Sequence, residues 1–419
     1  MHDELINFIL AHETDDLSKL LLKQKEILGY PASFVANQIN GRRKAKEKLP
    51  TWYANPSIVY PPQQNLEQCS SEATARFKSE VMSRSVSSAP ASGGGTTSLA
   101  DLTGGFGIDS FFFSKIFSKT YHAEPDAELC RLAERSHALL SRGHASGGGT
   151  TEYIESTAEE FISRAPKLDW IYLDPSRRSK GKKVFRLSDS QPDVVSLLPE
   201  LFSRADNILI KTSPLLDLKE GMKQLPKTKE IFVVSVGNEC KEVLFRLEKN
   251  WTAEPEIICV NLVDEVHFSP FGGRGVAFRF KFSEEAEASA DFSEPLLYLY
   301  EPNASILKAG AFKSIAKAFN LFKISPNTHL YTSKKKQPEF PGRIFQVQSP
   351  PAKRGAGLFL GEGPRASRGM RSFNIISRNH PITPEQIKKK FKLKDGGEKY
   401  VLAFSGRVKK YLLVAERVK

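Results

Sequence analysis

Cysteine is scarce: Cys69, Cys130, Cys240 and Cys259 are the whole complement, and no two of them form a Cys-x-x-Cys pair. That spacing excludes a disulfide framework and a cysteine-rich zinc site, and it makes buried thiols the default reading. Histidine is equally dispersed. His122, His137, His144, His267, His329 and His380 form no ligand pair at helical spacing, so no metal is expected. No run approaches twenty apolar residues, which excludes a helical membrane span. The opening Met1-His-Asp-Glu-Leu-Ile-Asn-Phe-Ile-Leu10 has acids where a signal peptide needs bases, so the expected location is the cytoplasm.

An excess of positive charge is also missing from most of the chain. The net charge is +13 over 419 residues, yet residues 1–333 hold 40 Lys/Arg against 42 Asp/Glu, while residues 334–419 hold 21 against 6. A positive field concentrated in this way favours a polyanion, and nucleic acid is the commonest one; the alternative is a solvated basic face. The length allows two or three domains, and a hydrophobic content of 40% is that of an ordinary soluble protein.

What is present is organised around Ser98-Leu-Ala-Asp-Leu-Thr-Gly-Gly-Phe-Gly-Ile-Asp109. The run reads as a short strand ending near Asp101. A turn comes next in which Gly104, Gly105 and Gly107 permit positive φ and close backbone approach, and Phe111, Phe112 and Phe113 then open an apolar helix. About twenty residues on, Thr120-Tyr-His-Ala-Glu124 ends a second strand in a carboxylate suited to ribose hydroxyls. Asp169-Trp-Ile-Tyr-Leu-Asp-Pro-Ser-Arg-Arg178 then brings Asp174-Pro175 to the same edge.

Strands are expected at 98–102, 119–124, 152–156, 168–174, 207–212, 230–236 and 255–263, with helical runs between the first six, including 128–140 and 194–202. Alternation of this kind predicts an α/β fold, a parallel sheet with helices on both faces. Residues 1–48 read as helices, and a serine at Ser70 or Ser71 is placed to cap another. The heptapeptide Ala-Ser-Gly-Gly-Gly-Thr-Thr occurs at 91–97 and again at 145–151. Each copy precedes a strand, which assigns both to the amino edge of the sheet as surface insertions rather than phosphate loops. After residue 283 come a linker, a helix capped by Asn303 or Ser305, a Gly/Arg-rich stretch at 352–371 and a small lysine-rich α+β module.

The order Asp101-x-x-Gly-Gly-x-Gly107, Glu124, Asp174-Pro175 resembles that of class I S-adenosylmethionine (SAM) methyltransferases. Together with Lys211-Thr-Ser-Pro-Leu-Leu-Asp217, Ser235-Val-Gly-Asn-Glu-Cys-Lys-Glu242, Tyr300-Glu-Pro-Asn-Ala-Ser305 and Lys394-Asp-Gly-Gly397, it is similar to a bacterial family of these enzymes over nearly the whole chain. The resemblance implies a helical region at 1–80 and a Rossmann-like seven-stranded methyltransferase domain at 81–283, with residues 255–263 as its antiparallel hairpin strand. It further implies a ferredoxin-like domain at 284–345 and a THUMP-like, RNA-binding domain at 346–419.

By the same resemblance SAM is the cofactor, with Asp101, Gly104, Gly105 and Gly107 at its methionine end and Glu124 at its ribose. Thr157 and Ala158 fall at the adenine, where relatives carry an aspartate; Glu159 is the available carboxylate. Asp174 and Pro175 are the catalytic pair, an acceptor for an exocyclic amine whose lone pair must face the methyl group. Ser176-Arg177 replaces the Pro-aromatic of amino-methylating relatives, so no ring is there to stack on a flipped base. Arg177, Arg178 and Lys211 are assigned to substrate binding, and the run Arg177, Arg178, Lys180, Lys182, Lys183 and Arg186, with no acid among them, suits phosphate positioning at the mouth of the site.

Methylation at pyrimidine C5 needs a cysteine thiolate to add to C6, and related enzymes place it directly after the serine ending the sixth strand; here Val236 follows Ser235, and Cys240 lies further on. The expected function is methylation of a base nitrogen in RNA, tRNA or rRNA. A non-catalytic RNA-binding protein on this fold and a protein methyltransferase are the alternatives.

Overall fold

The structure, a computed structural model, describes residues 1–23, 25–87, 97–141, 148–177, 187–262, 277–348 and 372–418. It divides into two compact units: the first holds residues 1–231 and 242–254, the second 232–241 and most of the chain after 255.

The first unit begins with the helices Asp3–Ala11, Leu17–Lys23, Ala32–Lys48 and Glu72–Ser87. Ser71, not Ser70, caps the last of these, its Oγ accepting from the Thr74 amide at 3.3 Å. The first three helices pack on one another through Leu5, Ile9, Ile27, Val35 and Ile39, and the stretch from Ala45 to Ala75 shares a second core with the glycine turn and the helix after it. Trp52, Tyr60 and Leu66 pack with Phe106, Ile108, Phe111 and Phe112, all under 6% exposed, and the Trp52 and Phe111 rings meet edge to face at 5.1 Å.

The strands are β1 (Ser98–Asp101), β2 (Lys119–Glu124), β3 (Thr150–Glu155), β4 (Leu168–Leu173), β5 (Ala205–Thr212), β6 (Thr228–Val236) and β7 (Glu239–Glu248). Six of the nine strands of this sheet lie in the first unit, in the order β7-β5-β4-β1-β2-β3. All are parallel except β7, which runs antiparallel to β5 from Val243↔Thr212 to Glu248↔Asn207. Helices connect the parallel strands, as crossover geometry requires. The carboxyl ends of β1, β2 and β4 therefore meet along one edge.

The expectation for 255–263 needs correction. The antiparallel strand beside β5 is Glu239–Glu248, and Glu256–Leu262 (β8) instead pairs antiparallel with Phe278–Phe280 (β9). Charges at Glu239, Lys241, Glu242, Arg246 and Glu248 conceal the strand's alternation, and its start was a turn: Gly237 and Asn238 both adopt positive φ, the conformation of a two-residue hairpin loop.

The heptapeptide copies are partly corrected too. Most of the first lies outside the described residues. The second does enter its strand at the amino edge, but Thr150 and Thr151 are strand residues paired with Lys119 and Thr120, and a Cβ at Gly149 would stand 1.9 Å from the Phe117 carbonyl. Its described end is integral to the sheet rather than an insertion on it.

In the second unit the remaining strands are β10 (Tyr298–Pro302), β11 (Phe322–Ser325), β12 (Thr328–Ser333), β13 (Gly342–Val347), β14 (Asn374–Arg378), β15 (Lys399–Ser405) and β16 (Lys410–Arg417). They form one sheet in the order β11-β12-β10-β13-β16-β15-β14. Asn303 caps the helix Ala304–Ala309, and Thr383 with Gln386 forms a capping box for Pro384–Phe391. Arg343 and Arg378 both grip the buried Glu301 carboxylate, joining β13 and β14 to β10. The Gly/Arg-rich stretch 352–371 lies outside the described residues. Among the described residues no helix is long and apolar enough to cross a membrane.

Candidate functional site

Strand β1 delivers Asp101 to the sheet edge already buried, at 1% exposure. Its Oδ1 accepts from the Thr103 amide at 3.1 Å and its Oδ2 from Ser110 Oγ at 2.6 Å, so the carboxylate ties the two ends of the glycine turn together. Ser110 Oγ also meets His122 Nδ1 at 2.9 Å. Burial pushes the Asp101 carboxyl up to about 7 and the His122 imidazole down to about 3. Asp101 thus shapes the loop from beneath and is not part of the cavity wall, which departs from its expected contact with the methionine end.

The three glycines prove to have different reasons. A Cβ on Gly104 would lie 2.3 Å from His122 Cε1, and one on Gly107, at φ +81, would lie 2.8 Å from His137 Nε2. Both are glycines because a buried histidine packs against them. Gly105, at φ +54, has nothing nearer than 3.9 Å around its Cβ direction. Any side chain there would project into the cavity, so this is the position where backbone meets ligand.

The cavity has a volume of about 370 Å³, within the range of small-molecule sites. Gly104, Gly105 and Gly107 form its floor, and Glu124, Thr157, Ala158, Glu159, Asp174 and Ser176 belong to its walls. Residues the sequence places at the ends of four different strands are therefore brought to one space. Glu124 accepts from the Gly105 amide at 2.8 Å through Oε2 and from the Asp126 amide at 2.9 Å through Oε1. Each oxygen keeps a lone pair for a ligand hydroxyl, and burial holds the carboxyl above its usual range.

Thr157 is committed elsewhere. Its Oγ1 accepts from the Glu160 amide at 3.2 Å, and Glu160 returns a carboxylate to the Thr157 amide, the two halves of a capping box on Ala158–Arg164. Glu160 serves the cap, which leaves Glu159 as the carboxylate of this wall.

Asp174 lies just beyond β4, its amide donating to Thr103 Oγ1 at 2.7 Å. Lys211, near the end of β5, forms an ion pair with Asp174 Oδ2. Burial disfavours the Lys211 charge, but the Asp174, Glu242 and Asp109 carboxylates outweigh it and hold the ammonium above the usual lysine range. Lys211, expected to bind substrate, is therefore held by Asp174 at the cavity. Pro175 stands between two wall residues without itself belonging to the wall. Arg177 takes part in a short ribbon, Ser176–Arg177 against Ser190–Gln191, that carries Gln191 and Pro192 to the cavity. Arg178 and the basic residues after it lie outside the described residues.

Sequence reasoning missed one wall altogether. Asn65, Gln68, Cys69 and Ser70, from the N-terminal helical region, line the same cavity. Behind them Ser70 Oγ donates to Asp109 Oδ2 at 2.7 Å and accepts from Lys78 Nζ at 2.8 Å. Lys78 is wholly buried and pairs with Asp109 at 3.1 Å and Glu242 at 3.2 Å. The available signal was the lone lysine in Ala73-Thr-Ala-Arg-Phe-Lys78, on a helix otherwise facing the core. Among the described residues no cluster of His, Cys, Asp and Glu could hold a metal ion.

The residues fit SAM: an open backbone position at Gly105, a carboxylate with free lone pairs at Glu124, and further carboxylates at Glu159 and Asp174 lining the same cavity. Comparisons with known proteins agree. A ferredoxin-like domain model matches residues 298–341 and a THUMP-like domain model matches 364–417. A candidate methyltransferase of Porphyromonas gingivalis W83, known from a crystal structure, is 28% identical, with 99% of this chain and 98% of that one covered and a TM-score of 0.81. Uncharacterised SAM-dependent methyltransferases from two Mycobacterium tuberculosis strains, CDC 1551 and H37Rv, are each 22% identical over 209 residues. That alignment covers 48% of this chain and 49% of theirs, so the chain spans about half the length of the curated relatives it matches.

Proposed function

We propose that this chain, which has the class I methyltransferase fold with ferredoxin-like and THUMP-like domains toward its C-terminus, transfers the methyl group of SAM to a base nitrogen of RNA. The observation that carries the reading is the shared cavity: Gly105 and Glu124 suit the cofactor, and Asp174 stands in the same space. When bound, SAM supplies a methyl group activated by its sulfonium.

The protein's part is binding and orientation. The Glu124 carboxylate accepts from ribose hydroxyls, and the Gly105 backbone allows close approach. Lys211 occupies Asp174 Oδ2 and fixes the carboxylate plane, which leaves Oδ1 to accept a hydrogen bond from an exocyclic amine. That bond turns the nitrogen lone pair toward the donor and stabilises the positive charge that grows on nitrogen during transfer. The proton lost from nitrogen leaves to water.

The lysine-rich C-terminal residues and the THUMP-like match support RNA as the acceptor, tRNA or rRNA, in the cytoplasm. The test is transfer of labelled methyl from SAM to total RNA and, separately, to protein from cells lacking this gene. The expected result is label in RNA that disappears with Asp174→Ala. Label only in protein would replace RNA with a protein acceptor, and no label in either fraction from SAM-binding protein would support the non-catalytic reading.

A further inference from the structure

The wall that the N-terminal region adds to the cavity has an unusual division of labour. Its backbone is held at every step. Lys48 Nζ donates to the Leu66 and Glu67 carbonyls, both at 2.8 Å, and Cys69 Sγ donates to the Leu66 carbonyl at 3.2 Å. Glu67 is engaged by Gln63 and Lys44, Leu66 is 1% exposed in the core, and Ser70 is clamped between Lys78 and Asp109. By contrast, the Asn65 and Gln68 carboxamides form no hydrogen bond with any described residue, and both residues line the cavity. A rigid support that leaves two donor–acceptor groups free is the arrangement of a reading surface, because ordering the support before binding removes that cost from recognition.

Which ligand they read is decided by chemistry. SAM's ribose is served by Glu124, and its methionine end is a zwitterion that backbone amides and charged groups suit better than neutral amides. A carboxamide presents a donor and an acceptor in one plane, the complement of a nucleobase edge. Edge recognition is also what this site needs, because the sequence has Arg177 at the position where amino-methylating relatives carry the ring that holds the base by its face. The third cavity carboxamide, Gln191, arrives on the ribbon beside Ser176.

We infer that Asn65 and Gln68 are acceptor-specificity residues: their carboxamides hold the hydrogen-bonding edge of the base whose exocyclic amine Asp174 orients. This rests on the RNA reading above. Gln68 is exposed and Asn65 half-buried, so truncating either spares the core.

The experiment measures methyl transfer to RNA and SAM affinity in parallel for the full chain and for Asn65→Ala and Gln68→Ala. Isosteric Asn65→Asp and Gln68→Glu keep the shape and exchange the amide donors for a charged acceptor. The expected result is a fall in kcat/KM for RNA of about tenfold for each alanine variant, the scale of one lost base-edge contact, with SAM Kd within twofold of wild type. The isosteric variants should show the same separation. Unchanged kcat/KM for RNA would overturn the inference, as would SAM Kd rising in step with the loss, which would reassign this wall to the cofactor. If the wild-type chain labels no RNA, the RNA reading itself has failed and this inference falls with it.

Discussion

Two stretches face each other's chemistry in this cavity and differ in what they demand of sequence. The turn after β1 demands backbone: Gly104 and Gly107 make room for His122 and His137, and Gly105 leaves room for a ligand. The segment Asn65–Ser70 demands nothing unusual of its backbone and contributes side chains, held in place by a buried lysine eight residues beyond its last member. Loops of the first kind announce themselves through glycine spacing. A wall of the second kind carries no such mark, because Asn, Gln, Cys and Ser are ordinary surface residues until the fold places them.

Breaking the support of the second stretch should have the largest effect. Lys78→Met leaves Asp109 and Glu242 buried without their ion-pair partner, and removing one partner of such a network costs about 3–5 kcal/mol. Urea unfolding should show that loss, and a change below about 1 kcal/mol would mean water or another cation compensates. Gly104→Ala attacks the first stretch. Its methyl would enter the His122 ring, so a loss of about 1–3 kcal/mol and weakened SAM binding are expected from unfolding and calorimetry.

The buried Asp101 makes the comparison sharper through pH. Its carboxyl is raised from 3.8 to about 7 in the folded chain, so the folded state holds its proton more tightly than the unfolded state does. Its contribution to stability is full below about pH 4 and is lost as pH rises to about 7. His122 and His137, lowered to about 3 and about 4, act in the opposite direction, with stability lost as pH falls below 6.5. They are common to both proteins when Asp101→Asn is compared with wild type. The variant should therefore gain on wild type between pH 4 and 7 and show a constant difference above it. A difference independent of pH would mean that Asp101 is ionised throughout. The smallest effect is expected of Thr157→Ala, which removes a helix cap worth about 1 kcal/mol and leaves SAM affinity nearly unchanged.

Much of the fold was legible because its marks are local. Strands β1, β2 and β4, each ending in an acidic residue or leading directly to one, lie close to where the sequence places them, and Glu124 and Asp174 line one cavity with the glycine turn. What sequence hid was of two kinds. Strand β7 carries so many charges that its buried face is obscured, and the turn at Gly237 and Asn238 was the better signal. The pairing of Lys211 with Asp174 and the wall at Asn65–Ser70 are contacts between residues 37 or more positions apart, set by packing that no local pattern records. The roles of Gly104 and Asp101 likewise depend on His122 and Ser110, their neighbours only in three dimensions.

The central claim is that one cavity separates two tasks, holding the cofactor at Glu124 and orienting the acceptor at Asp174. It is tested most directly by measuring SAM affinity and methyl transfer side by side for Asp174→Ala and Glu124→Gln. Asp174→Ala should bind SAM within a few-fold of wild type and transfer no methyl group, while Glu124→Gln should bind SAM more weakly by about tenfold and retain transfer at saturating SAM. Equal losses of affinity in both variants, or transfer that persists without the Asp174 carboxylate, would contradict the account.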